Sequence, residues 1–134
     1  MPHVIVEYSA NIEAELLPED LVDDIHRAAL ASGIAEPVAV RTRLMRREHY
    51  RVGDGSKENA FVHIDIRARK GRTLEQKKAA VQALYDQANK TLEPVFRARP
   101  LALTVEIHEI DPETRLLRNG MRERGAAAGK ASAA

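Results

Sequence analysis

The chain has no cysteine and no tryptophan. Without cysteine there are no disulfides, no thiol nucleophile and no thiolate metal site, which fits a reducing cytoplasm, the expected location. Aromatic residues make up only 4% of the 134 residues, leaving little to stack on nucleic-acid bases. No uninterrupted apolar run approaches the ~18 residues of a membrane span, so no membrane partner is expected. The opening MPHVIVEYS lacks a basic stretch followed by a long apolar one, and no secretory signal is expected. GxSxG, P-loop and GxGxxG motifs are missing. The histidines (His3, His26, His49, His63 and His108) show neither HExxH nor HxH spacing. No metal and no organic cofactor is expected.

What remains is 44% hydrophobic and 31% charged, the balance of one soluble globular domain. The net charge of +1 hides a segregation. Residues 1–40 carry eight acids and one base, whereas residues 41–72 carry ten bases and four acids. An anionic partner fits the basic middle third. The stretch RTRLMRREHYR has five arginines but one aromatic, Tyr50. With no recognised binding motif, nucleic acid is not the expected partner.

Alternating apolar residues predict four strands: 2–8, 38–45, 60–68 and 101–110. Two helices fall between them. The first opens at Pro18, carries Leu17, Leu21, Ile25, Ala28 and Ala29 at helical spacing, and stops at Gly33. The second opens at Thr73 with Gln76 as a capping box and carries Ala80, Val81, Leu84, Tyr85 and Ala88, with Pro94 expected to break or kink it. The fold class is therefore α/β (α+β): a tandem β-α-β repeat, a four-stranded sheet with two helices on one face. Each β-α-β unit predicts a parallel strand pair. The bare face then calls for another subunit. Residues 1–111 form the expected domain. Residues 112–134 are expected to be a C-terminal arm and a disordered tail, because GAAAGKASAA is low in complexity.

Pro2 is the first candidate for chemistry. A proline nitrogen inside a chain is an amide, but at a processed terminus it is a secondary amine that can take and return a proton. A terminal amine titrates near 7.7 to 8.0, and burial or nearby cations lower that value. A neutral amine near pH 7 suits a general base. Arg41 and Arg43, two apart on a strand, project from one face. Arg72 lies just before the second helix, where main-chain N–H groups also favour anions. Arginine forks match carboxylates, and several converging on one pocket would suit a polycarboxylate. His3 adjoins Pro2 and is the remaining candidate for substrate contact.

MPHVIVEYSANI at the start, SGI at 32–34, VRTR at 40–43, DG at 54–55, AFVHIDI at 60–66, GRTLE at 71–75 and LALTVEI at 101–107 together resemble the 5-carboxymethyl-2-hydroxymuconate isomerase family of the tautomerase superfamily. The resemblance runs from residue 2 to about residue 110. It implies a tautomerase fold assembled as a homotrimer, with sites near the subunit interfaces. It also implies an isomerase acting in homoprotocatechuate degradation. Pro2 matches the family's proton-shuttling proline; Arg41 and Arg72 match arginines taken to hold substrate carboxylates. The sequence departs from the family pattern at Ala35 and Glu36, where a bulkier apolar lining is expected. Two alternatives stand beside this reading: a superfamily member acting on another 2-oxo acid, and an inactive trimeric binding protein of the same fold.

Overall fold

The computed structural model describes residues 2–133, with side chains through residue 126. Four strands form one sheet: β1 (His3–Ser9), β2 (Arg41–Arg47), β3 (Ala60–Arg69) and β4 (Leu101–Ile110), in the order β2-β1-β3-β4. β1 pairs parallel with β2, and β3 pairs parallel with β4. The two units meet through the antiparallel β1–β3 pair. This is the tandem β-α-β arrangement expected from the alternation.

Helix α1 (Pro18–Ala31) starts with proline at the head of its first turn, followed by Glu19 and Asp20, which suit the positive end of the helix dipole. It buries Leu21, Ile25 and Ala29, one residue per turn along one stripe. Gly33, with φ of 70°, takes the left-handed conformation that ends the segment. Helix α2 (Leu74–Thr91) opens on the predicted capping box. The Thr73 hydroxyl accepts from the Gln76 N–H at 3.1 Å, and the Gln76 side-chain oxygen accepts from the Thr73 N–H at 2.9 Å. It buries Ala80, Leu84 and Ala88, leaving Tyr85 exposed. Pro94 sits in the first turn of a separate short helix, α3 (Glu93–Ala98), where its missing N–H costs nothing. The helices cover one sheet face, sealing Val4, Val6 and Tyr8 of β1 together with Val62, Ile64 and Ile66 of β3.

Three expectations are corrected. Strand β2 begins at Arg41 rather than residue 38, because Pro37–Ala39 forms a single 3₁₀ turn whose Pro37 carbonyl accepts from the Val40 N–H at 3.2 Å. Leu17, placed on the apolar stripe of the first helix, stands 68% exposed ahead of it. Residues 125–133, expected as a disordered tail, belong to helix α4 (Gly120–Ala133), which Asn119 precedes. The Asn119 side-chain oxygen accepts from the N–H groups of Met121 at 2.9 Å and Arg122 at 3.3 Å, capping the helix. The alanines that read as low complexity are also the strongest helix formers. Residue 134, the end of the expected tail, lies outside the described residues, as does residue 1.

Among the described residues the opposite sheet face carries no helix, but it is not an apolar surface. His3, Ile5 and Glu7 share it with Arg41, Arg43, His63, Asp65, Arg67, Glu106 and His108. His63 pairs with Glu106, and His108 Nδ1 lies 2.6 Å from the Asp65 carboxylate. Among the described residues no helix is long and apolar enough to cross a membrane.

Candidate active site

Pro2 is fully buried at the entrance to β1. Its carbonyl accepts from the Arg41 N–H at 3.2 Å, which carries the parallel pairing one residue back. His3 pairs with Arg41 on one side and Arg67 on the other, so Pro2 lies between Val40 and Ala68. Both neighbours are buried, Val40 at 7% and Ala68 at 0% exposure. The residue singled out for proton transfer thus stands at the head of an ordered strand, on the core side of the sheet.

His3 points the other way. The Arg43 Nη1 donates to His3 Nδ1 at 3.1 Å, which requires a free lone pair on that nitrogen. Burial holds the imidazole below its ordinary pKa, and the guanidinium charges of Arg43, Arg41 and Arg67 push it further in the same direction. His3 is therefore a neutral acceptor embedded among cations.

Arg72 occupies a different place. Gly71, with φ of 126°, turns the chain after β3. The Arg72 Nε then donates to the Ile34 carbonyl at 2.7 Å, and its Nη1 donates to the Arg69 carbonyl at 2.8 Å. These bonds tie the loop after α1 to the loop before α2. Arg72 lines a cavity of about 290 Å³ with Ala35, Glu36, Ala39, Arg69, Arg115, Leu117 and Arg122. Ala39 and Arg69 are the chain neighbours of Val40 and Ala68, so this cavity lies at the Pro2 end of the sheet.

Within one chain the candidate arginines do not converge. Arg41 and Arg43 project with His3 from the uncovered face, whereas Arg72 lines the cavity at the sheet end. The sequence reading missed Arg69, Arg115 and Arg122 as cavity residues. The signal available was the basic character of the segment after Pro112, but nothing in the spacing says that it folds back. Among the described residues no three acids and histidines gather as a metal site.

A second polar cluster lies at the far end of β1. The Tyr8 hydroxyl donates to Glu13 at 2.7 Å, and the Arg46 Nε donates to the same carboxylate oxygen at 2.8 Å. Burial, reinforced by the Glu13 carboxylate, pushes the Tyr8 hydroxyl up to about 12. It stays a neutral donor that orders the turn after β1.

The family model described as 5-carboxymethyl-2-hydroxymuconate isomerase matches residues 2–125. The chain is 30% identical over 121 residues to the 5-carboxymethyl-2-hydroxymuconate Delta-isomerase of Escherichia coli, covering 90% of this chain and 96% of that protein. A 5-carboxymethyl-2-hydroxymuconate isomerase from Deinococcus radiodurans R1 has a similar structure, with a TM-score of 0.79 at 29% identity over 92% of each chain. A wild-type fused 4-OT solved as a symmetric trimer shares the fold, with a TM-score of 0.62 at 20% identity over 87% of this chain and 92% of that one. The paired β-α-β units, the buried Pro2 opening β1 and a match that runs on through Arg115 into α4 converge on one assignment: the chain belongs to the 5-carboxymethyl-2-hydroxymuconate isomerase family.

Proposed function

We propose that the protein is an isomerase that converts the enol 5-carboxymethyl-2-hydroxymuconate to its conjugated ketone, in homoprotocatechuate degradation, with Pro2 as the sole proton carrier. The observation that carries this reading is that the buried Pro2 and an arginine-lined cavity lie at the same end of the sheet. Removal of Met1 frees the Pro2 nitrogen as a secondary amine. Apolar burial and the surrounding cations favour its neutral form. The amine takes the enol O–H proton, and the resulting negative charge spreads along the conjugated chain. The protonated amine then returns the proton to carbon. Arg72 holds a substrate carboxylate and stabilises the charge developing on oxygen.

Arg41 and Arg43 lie on the other face of the same chain, so their part in binding requires a second copy. A homotrimer, in which neighbouring chains meet at the uncovered face, brings these arginines toward an adjoining site. The trimeric fused 4-OT of the same fold supports that arrangement. A cytoplasmic location belongs to the same proposal.

The test is Pro2→Ala, with Met1 removal verified by intact mass. Ketonisation is followed by loss of the substrate's ultraviolet absorbance. The variant loses most of its kcat, the alanine primary amine leaving a remnant. Full activity in a verified variant rules out Pro2 as the base. The same assay with monocarboxylate enols separates this substrate from another 2-oxo acid.

A further inference from the structure

We infer that Arg115, brought back by the segment after β4, is a carboxylate-binding residue of the Pro2-end cavity and selects for polycarboxylate substrates. The inference rests on the functional reading above and names a residue that reading does not use.

Arg115 lines the cavity, yet its Nε and Nη1 are buried without a hydrogen-bond partner among the described residues. A guanidinium stays charged at any physiological pH. Leaving its donors buried and unsatisfied is costly, which marks the position for an acceptor that arrives from outside. The surroundings specify the sign. The lining holds four arginines against one glutamate. That glutamate, Glu36, is already paired with Arg122. Arg72 spends two donors on main-chain carbonyls, which leave its charge uncompensated. The cavity is therefore cationic and ready for an anion with paired oxygens, which a carboxylate presents to an arginine fork.

Arg115 is held in place by more than its own side chain. Asn119 Nδ2 donates to the Val38 carbonyl at 2.9 Å, pinning the segment against the Pro37–Ala39 turn. Asn119 also caps α4, which carries Arg122 to Glu36. The chain after β4 thus forms a wall of the cavity.

The experiment uses the full-length, mass-verified protein and the variants Arg115→Gln and Arg115→Lys. The kcat/KM of the tricarboxylate enol and of a monocarboxylate enol are measured for each. Arg115→Gln is expected to lower kcat/KM for the tricarboxylate by roughly ten- to a hundredfold. The loss for the monocarboxylate is at least tenfold smaller, and Arg115→Lys recovers part of the difference. Equal losses for both substrates, or no loss for the tricarboxylate, overturn the inference. Because Nε and Nη1 make no hydrogen bonds among the described residues, the variants keep or exceed the wild-type melting temperature. A large drop in that temperature also overturns the inference, since it assigns Arg115 a structural role.

Glutarate, which has two carboxylates, separates failure of the subsite from failure of the proposed reaction. If the wild type ketonises neither enol, the proposed function falls and glutarate protection decides the subsite. A glutarate-induced rise in melting temperature that disappears in Arg115→Gln supports it. An equal rise in both proteins, or none in either, overturns it.

Discussion

Arg72 offers the sharpest separation between holding the fold and holding a ligand. A guanidinium has five N–H donors. Two of them go to the carbonyls of Ile34 and Arg69, at 2.7 and 2.8 Å. The remaining donors are available to a carboxylate in the cavity. Arg72→Lys keeps the positive charge but removes the fork, so it breaks both the brace and the bidentate grip. The brace links two part-exposed loops, and its loss costs about 1 to 2 kcal/mol of stability. For a domain of this size that lowers the melting temperature by roughly 4 to 7 °C. A lost charge-assisted contact to substrate is worth about 1.5 to 3 kcal/mol, or roughly ten- to a hundredfold in kcat/KM. Steady-state ketonisation at 25 °C, far below the melting transition, reads the second effect without the first. Arg72→Met removes the charge as well and is the more severe variant. If a folded Arg72→Lys or Arg72→Met protein keeps kcat/KM within about twofold of wild type, Arg72 is a loop brace and not a substrate residue.

Three further outcomes follow from the same structure. Thr73→Ala removes one half of the capping box of α2 and costs about 1 kcal/mol, read as a lower denaturant midpoint with an unchanged slope; an unchanged midpoint refutes the cap's contribution. Arg99 grips Glu15 through two nitrogens, with side chains 13% and 18% exposed. Arg99→Met strands that carboxylate and costs about 1.5 to 3 kcal/mol, while the double variant with Glu15→Gln recovers part of the loss; a double variant as unstable as the sum of the two singles removes the coupling. For His3, protons bind the unfolded chain first as pH falls below the ordinary imidazole value of 6.5, because the folded pKa is lower. Its contribution to stability is therefore present above pH 6.5 and is lost through the window just beneath it. The imidazole titration followed by NMR gives a midpoint below 6.5, and a midpoint at or above that value contradicts the neutral-acceptor role.

The departure at Ala35 and Glu36 has a physical reading in the folded chain. Both residues line the cavity, and Glu36 pairs with Arg122 of α4. A small side chain and an acid, in place of the bulkier apolar wall expected there, leave room for the charged segment that follows β4. That segment read as a basic arm because its charges are visible in the sequence. Its docking is not, since Asn119 meets Val38 across most of the chain's length and no local pattern encodes that contact.

The sequence alone determined the four strands, the two long helices and most of their buried faces, but not the short helix α3 or the C-terminal helix α4. The Thr73–Gln76 capping box, the Pro18 helix start and the apolar alternation of β3 are local, short-range effects that depend on residues a few positions apart. β4 matched its predicted span, and the parallel pairs followed from helices placed between strands. Only the tertiary structure decided which cations share a cavity. Alternation on β2 sends Arg41 and Arg43 to the uncovered face, while the Gly71 turn swings Arg72 to the sheet end. Arg115 joins it there because the chain folds back after β4. Residue types and spacing carry the chemistry available to a chain, but convergence depends on long-range packing, which no window of the sequence contains.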